Sequence, residues 1–228
     1  MNRLLVGRVL SLGLLVVLVV LALGACGGGG EEQSKPRPLP EDPKTLRPGT
    51  YRSEEFKPSL TFRVGEGWSN EPPEMSDLLL ITRGHDIGGL GFANIREVYV
   101  YKPTKTGSPY VVEAPEDMVG WFQAHPYLQT SKPEPVTVGG VKGEQFDVVV
   151  ADLPADYRGE CGSNCVDLFR IGSGLPVSLG EDDKARFIVL EDVKGEMVLM
   201  GFVSPATKFD EHAPEAQKVI DSVEWGGS

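Results

Sequence analysis

Basic residues and histidines are scarce in this chain of 228 residues. There are 22 lysines and arginines against 33 aspartates and glutamates, which gives a net charge of −11, and only three histidines. A non-specific nucleic-acid binder needs a basic surface to neutralise phosphates. The charge balance therefore excludes that class, and we predict no nucleic-acid partner.

Recognisable catalytic motifs are also missing. Ser173 lies between two glycines but has no glycine two residues before it, so the nucleophile-elbow pattern fails. No glycine-rich loop ends in Lys-Ser or Lys-Thr, as a phosphate-binding loop would. The four glycines within residues 84–91 lack the dinucleotide spacing and are explained by turns. We expect no enzymatic activity and no cofactor.

Candidate metal ligands do not cluster. His85, His125 and His212 fall in three different predicted elements, whereas a metal site needs two or three converging ligands. We expect His125 to close a helix, where a protonated imidazole suits the negative end of the dipole. The run Glu181-Asp182-Asp183 lacks the interleaved spacing of a calcium loop and is typical of a solvated turn. We predict no metal site.

The N-terminus is the most informative segment. Residues 1–8 contain two arginines and no acidic residue, and residues 9–23 are mostly leucine and valine, which is the layout of a secretory signal. The next residues, Leu23-Gly24-Ala25-Cys26, resemble the bacterial lipobox. That resemblance implies cleavage between Ala25 and Cys26 and lipidation of the Cys26 thiol. The alternatives are an ordinary signal cleaved nearby, or a retained anchor with an incidental cysteine.

A lipidated Cys26 places the protein on the extracytoplasmic side of a bacterial cell membrane. Two or three acyl chains hold a protein stably on a bilayer, whereas one does not. Without residues 1–25 the chain carries 20 basic and 33 acidic residues, a net charge of −13. Attachment is therefore expected to rest on acyl chains rather than on attraction to anionic lipids.

Residues 26–48 are predicted to be a tether. They begin with the lipidated cysteine and four glycines, and five prolines follow among charged residues. Such a composition favours a flexible swivel followed by extended polyproline II. We expect this segment to be disordered and the folded domain to span residues 49–228.

The domain shows a pattern of strands with two helices. Two hairpins are predicted where Gly139-Gly140 and Lys194-Gly195 supply the positive φ of tight turns. The full set of predicted elements is strands at 50–52, 60–64, 78–82, 91–101, 135–138, 141–150, 166–171, 186–193 and 196–203, helices at 115–125 and from 213 or 214 to 222, and a last strand ending at Trp225. Six to eight mostly antiparallel strands with two helices indicate a single α+β sandwich.

Short sequence features of the domain resemble the PsbP-like fold. They are Tyr51, Phe56, Leu60-Thr61-Phe62 and Glu66-Gly67-Trp68, followed by a helix, hairpins and Val219-Ile220-Asp221-Ser222-Val223. This fold includes an extrinsic photosystem protein and bacterial surface lipoproteins of the LpqN type. The resemblance covers residues 49–225 and implies an antiparallel α+β sandwich. The chain has Gly65 where family members have a proline, and no metal-ligand pattern carries over.

Two cysteines remain in the domain. Cys161 and Cys165 lie in a Gly/Ser/Asn loop, and in an exported protein they are expected to form a local disulfide that holds this loop. The alternative is metal or redox chemistry, because the same spacing occurs in copper proteins. Those proteins add a nearby histidine or methionine, and none stands within twenty residues here.

The leading functional prediction is a lipid-anchored binding or scaffolding module. Its partner would be another envelope protein or an amphiphilic ligand, besides the membrane itself. The alternative is a metal-handling or redox protein, or a hydrolase, that uses the Cys161/Cys165 loop. Trp68, Trp121 and Trp225 are expected to supply core area.

Overall fold

The computed structural model describes residues 35–84, 87–100, 110–154, 157, 159–162, 164–171 and 174–226. Within them lie fifteen β-strands and two α-helices. The strands are β1 (Arg37–Pro38), β2 (Gly49–Arg52), β3 (Leu60–Val64), β4 (Leu78–Thr82), β5 (Gly89–Ala93), β6 (Glu97–Val100), β7 (Tyr110–Glu113), β8 (Leu128–Thr130), β9 (Glu134–Val138), β10 (Val141–Val150), β11 (Cys165–Arg170), β12 (Pro176–Gly180), β13 (Asp183–Val193), β14 (Glu196–Pro205) and β15 (Glu224–Trp225). The helices are α1 (Met118–Ala124) and α2 (Phe209–Asp221).

These strands form three sheets. Sheet A has the order β1-β2-β3-β15, sheet B the order β4-β5-β14-β13-β10-β8 with β9 also paired to β10, and sheet C the order β12-β11-β6-β7. Every pair is antiparallel except β1 with β2. The predicted α+β class, antiparallel and β-rich with two helices, is confirmed. The described strands outnumber the six to eight expected, because several are only two to four residues long.

Sheet B is the middle layer, and each of its faces packs into a separate apolar cluster. One cluster, the α2 core, joins sheet A and helix α2 to residues of sheet B such as Phe92 and Met200. The other, the α1 core, joins sheet C and helix α1 to residues such as Phe146 and Phe187. Alternate side chains of a strand point to opposite faces, so the central strands serve both clusters.

Both predicted hairpins are present. Gly139 and Gly140 have φ values of 55° and 83° between β9 and β10, and Lys194 and Gly195 have 58° and 88° between β13 and β14. Two consecutive positive φ values match the right-handed twist of the flanking strands. The local turn chemistry therefore sets the register of these hairpins.

The helices differ from prediction at their ends. Helix α1 begins at Met118 because the Asp117 side chain caps it by accepting the Gly120 N–H at 2.7 Å. Helix α2 begins at Phe209, one turn before the predicted start, and Pro214 lies inside it. The Phe209 ring packs 5.5 Å from that of Phe202, which anchors this additional turn in the α2 core.

The strand predicted at 91–101 is divided between two sheets. Its first part belongs to β5 in sheet B and its second part to β6 in sheet C. The chain crosses between the sheets at residues 94–96, where the Asn94 amide donates to the Lys57 carbonyl oxygen. The prediction of one continuous strand was therefore wrong.

Residues 35–48, which we call the arm, are folded rather than a free tether. Strand β1 pairs with β2, and Leu39 and Leu46 are buried in the α2 core. The Leu46 N–H donates to the Trp68 carbonyl oxygen at 2.7 Å. The arm is therefore packed on the folded domain, which differs from the expectation that residues 35–48 belong to a disordered tether.

A single asparagine holds the middle of the arm. Asn70 is 0% exposed, and its amide nitrogen donates to the carbonyl oxygens of Pro40 at 2.7 Å and Asp42 at 3.2 Å. Its side-chain oxygen accepts the Lys44 N–H at 3.0 Å. These three bonds satisfy backbone groups that the proline-rich arm cannot pair within a ladder of its own.

Residues 1–34, with the predicted signal peptide and Cys26, lie outside the described residues. Neither of the two described helices is long and apolar enough to cross a bilayer.

Candidate ligand groove

A groove of about 800 Å³ opens between sheet B and the β11–β12 hairpin of sheet C. Its walls come from β4, β5, β14 and the first half of β13 on one side, and from β11, β12 and the intervening loop on the other. This volume lies within the range of about 300–1,000 Å³ typical of small-molecule sites. The lining is mostly apolar and comprises Pro72, Leu78, Leu80, Thr82, Gly88, Gly89, Gly91, Ala93, Phe169, Ile171, Leu175, Pro176, Val177, Ser178, Asp183, Phe187, Leu199, Gly201, Val203, Ser204, Pro205 and Lys208.

The floor of the groove follows from strand alternation. Every second residue of β4, of β5 and of β14 from Leu199 to Val203 lines the groove, and the residues between them are buried in the α2 core. The floor residues are Leu78, Leu80 and Thr82 on β4, Gly89, Gly91 and Ala93 on β5, and Leu199, Gly201 and Val203 on β14.

Small residues at the centre of the floor leave the space open. Gly91 of β5 lies directly opposite Gly201 of β14 in the register. A Cβ added at Gly201 would stand 2.7 Å from Cε1 of Phe187, whereas one at Gly91 would stand 3.6 Å from Cδ1 of Leu80. Gly201 is therefore required by the Phe187 ring, while Gly91 faces space that a side chain would fit.

A β-bulge shapes the opposite wall. The β11–β12 register shifts between Asp167 and Phe169, so that Phe169 pairs with Val177 and Val166 pairs with Leu179. Val177 and Leu179 share one face of β12, and the bulge therefore places Phe169 on the same face as Val166. Without the shift, Phe169 would point away from the groove.

The charged groups of the lining lie toward one end. Asp183 and Lys208 are the only charged side chains among the described residues that line the groove. Asp183 pairs in register with Pro205, and the Lys208 N–H donates to the Pro205 carbonyl oxygen. The other end is formed by the apolar row Leu78, Ala93 and Leu199. The groove thus runs from an apolar end to a charged end, as an amphiphile does.

Cys161 and Cys165 form a disulfide in the structure, and neither residue lines the groove. Asp167, two residues after Cys165 on β11, is 0% exposed. The Asp167 carboxylate accepts the Glu160 N–H at 2.8 Å and the Ser178 hydroxyl at 2.6 Å. The disulfide and this carboxylate together hold the loop against β11 and β12.

The two histidines within the described residues lie on different helices. His85 lies outside the described residues, His212 is half-buried in the first turn of α2, and His125 ends α1. No group of three or more possible metal-binding side chains occurs in the part of the chain that the structure describes.

His125 is buried rather than solvated. It is 7% exposed, its ring lies 5.3 Å from that of Trp121, and its Nδ1 accepts the Tyr127 N–H at 3.2 Å. Burial lowers the pKa of His125 to about 4. The imidazole is therefore neutral at pH 7, and the prediction of a protonated helix cap was wrong.

We expect this histidine to make stability fall in mild acid. Its pKa is about 4 when folded and about 6.5 when unfolded, so the unfolded chain binds the additional proton in between. The stabilisation is complete above pH 6.5 and is lost as the pH falls toward 4, at a cost of about 2 kcal/mol between pH 7 and pH 5. Urea denaturation of wild type and His125→Gln at both pH values measures this difference. His212→Gln is the matched control, and an equal pH dependence in His125→Gln and wild type would contradict the prediction.

The other predicted residues have mainly structural positions. Trp68 is buried in the α2 core, Trp121 packs edge-on against Phe122, and the Trp225 indole donates to the Val138 carbonyl oxygen at 3.1 Å. Glu181 and Asp182 form an exposed turn, while Asp183 lines the groove. Ser173, Ala25 and Cys26 lie outside the described residues.

The groove residues themselves were not predicted. The glycines within residues 84–91 were explained by turns, although Gly91 also began the strand predicted at 91–101; the turns hold for Gly84 and Gly88 with their positive φ. Gly89 and Gly91 instead belong to β5. Their alternation with Leu90 and Phe92 is the one local signal of a strand that has large apolar side chains on one face and glycines on the other.

No family model matches this chain, and no curated protein matches it. Solved structures resemble it at low identity, among them the following two. The solution structure of cyanobacterial PsbP (CyanoP) from Synechocystis sp. PCC 6803 has a TM-score of 0.40 and 13% identity, covering 90% of this chain and 99% of that chain. The crystal structure of LpqN, involved in cell envelope biogenesis of Mycobacterium tuberculosis, has a TM-score of 0.31 and 10% identity, covering 80% and 89%. The function proposed below rests on the groove and the lipobox rather than on this likeness.

Proposed function

We propose that the protein is a lipid-anchored extracytoplasmic binding module whose groove takes the apolar chain of an amphiphile. The observation that carries the proposal is the groove itself, a concave apolar space of about 800 Å³ with its two charged side chains toward one end. Its length runs along paired strands, so an extended chain fits along the row of small floor residues. The polar end suits the head group.

The binding energy would come from the buried chain. Each methylene removed from water contributes about 0.8 kcal/mol, so lengthening a chain by two methylenes should tighten binding about tenfold. This dependence should end once the groove is filled.

The experiment uses the full chain in lipid nanodiscs with palmitic acid that carries a diazirine on its chain. Photolysis followed by peptide mapping locates the label, and competition with unlabelled alkyl chains of increasing length gives relative affinities. We expect label on β5, on β14 and on the Phe169–Val177 wall. Labelling spread evenly over the surface, or unaffected by competitors, would refute the proposal.

The anchor is proposed at Cys26, following the lipobox, and it has its own test. Cells fed radiolabelled palmitate should label the wild-type chain, and Cys26→Ser should lose essentially all of that label. The double variant Cys161→Ser/Cys165→Ser is the control, since it removes the other two cysteines and should keep the label. Undiminished label in Cys26→Ser would show that this cysteine is not the site.

A further inference from the structure

The groove has an apolar rim that faces solvent. Leu175 and Val112 are the two large hydrophobic residues exposed in the described part of the chain, at 51% and 39%, and Leu175 lines the groove. Pro72, also exposed, lines the groove as well. The apolar surface therefore continues from the inside of the groove to the outside of the protein.

Leu175 is held in this exposed position by the backbone. The Ile171 N–H donates to the Leu175 carbonyl oxygen at 3.2 Å, and the Gly174 N–H donates to the Ile171 carbonyl oxygen at 2.7 Å. Pro176 follows directly as the first residue of β12. A leucine fixed outward at the rim of an apolar groove loses hydrophobic stabilisation in water and regains it only against another apolar surface.

The short stretch of chain between the proposed anchor and the described residues indicates that this second apolar surface is the lipid bilayer. With Cys26 lipidated, eight residues separate the anchor from Lys35, the first described residue. At about 3.3–3.6 Å per residue they span at most about 30 Å. A domain of this size has a radius of gyration of about 16 Å, so the anchor keeps every face of it within a short distance of the bilayer.

Charge gives no alternative means of contact. The exported chain carries a net charge of −13, which repels an anionic lipid surface. An apolar contact does not depend on that attraction, because its strength follows the apolar area buried at the interface.

We infer that the rim around Leu175 docks on the lipid bilayer and that the groove takes its apolar chain directly from the membrane. The inference rests on the proposed function and adds the source of the ligand. Leu175 would insert among the acyl chains next to the groove opening. A lipid chain would then move from the bilayer into the groove without crossing water.

The test compares two routes of supply to the full chain anchored in phosphatidylcholine vesicles. In the first experiment the vesicles contain a phosphatidylcholine with a diazirine on its acyl chain. In the second experiment a water-soluble diazirine octyl glycoside is added from solution. Peptide mapping after photolysis measures the label in the groove and at Leu175 in each experiment.

Leu175→Glu should lower groove labelling by the bilayer lipid about tenfold and lower labelling by the soluble octyl probe much less, because Leu175 contributes only the rim of the groove. Val112→Glu is the matched control, since it places the same charge at the other exposed hydrophobic residue. It should leave groove labelling by both probes unchanged. Wild-type Leu175 should itself be labelled by the bilayer lipid.

Three results would overturn the inference. The first is equal labelling of Leu175→Glu and wild type by the bilayer lipid. The second is an equal loss of labelling by both probes in Leu175→Glu. The third is a wild-type groove that is labelled by the bilayer lipid while Leu175 itself is not. If neither probe labels the wild-type groove, the proposed function itself fails, which separates the two conclusions.

Discussion

Replacing Gly91 with valine should weaken binding of an alkyl amphiphile at least tenfold without lowering thermal stability. Gly91 lies at the centre of the groove floor, and a Cβ there would make only ordinary contacts, the nearest at 3.6 Å from Cδ1 of Leu80. Its φ lies outside the positive range, and a β-branched residue suits a strand. The valine methyl groups would occupy space needed by about two methylenes of the ligand, which corresponds to about 1.6 kcal/mol.

The measurement is competition against the diazirine palmitic acid, together with thermal melting followed by circular dichroism. Gly65→Val is the matched control, because a Cβ at Gly65 meets nothing within 4 Å and the residue lies in an exposed turn. It should leave both the affinity and the melting temperature unchanged. Equal affinity of Gly91→Val and wild type would show that the chain does not lie along this floor.

Replacing Asn70 with alanine should lower the free energy of unfolding by about 2–4 kcal/mol. The substitution removes three hydrogen bonds, to Pro40, Asp42 and Lys44, and leaves their backbone groups without these partners. The arm would then separate from the domain more often. Leu39 and Leu46 would lose their places in the α2 core when it does.

Urea denaturation measures the stability change, and limited trypsin digestion measures exposure of the arm at the Lys44–Thr45 bond, because the other basic residues of the arm precede prolines and are not cleaved. Asn164→Ala is the control, since the Asn164 amide makes an exposed bond to the Glu181 carboxylate. We expect less than about 1 kcal/mol from that change. Stability of Asn70→Ala within 1 kcal/mol of wild type, with no faster cleavage in the arm, would show that Asn70 does not secure it.

Elements with a local cause could be predicted from the sequence. The two hairpins depend on the turn residues Gly139-Gly140 and Lys194-Gly195, which need no distant contact to adopt their conformation. Helix α1 was located to within a few residues because Asp117 caps it and Pro126 follows its last turn. In each case the determining residues are neighbours in the chain.

The arm and the groove depend on distant contacts, so the sequence did not reveal them. The proline-rich composition of the arm favours a tether. Its two leucines are buried only because contacts with Trp68 and Asn70, distant in sequence, hold the arm on the domain. The groove requires Gly91 to face Gly201, a register between residues 110 positions apart. His125 likewise looked like an ordinary helix end until the packing of Trp121 and Tyr127 was known.

The folded arm has a consequence for how tightly the groove needs to bind. With Cys26 lipidated as proposed and the arm folded, only eight residues lie between Cys26 and Lys35, and they would confine the groove to a thin layer over the bilayer. Within that layer the effective concentration of lipid is far above its concentration in bulk water. The groove therefore meets lipid as often as if the two were linked in one molecule. A modest intrinsic affinity would then keep the groove occupied, and the loaded lipid could still leave quickly.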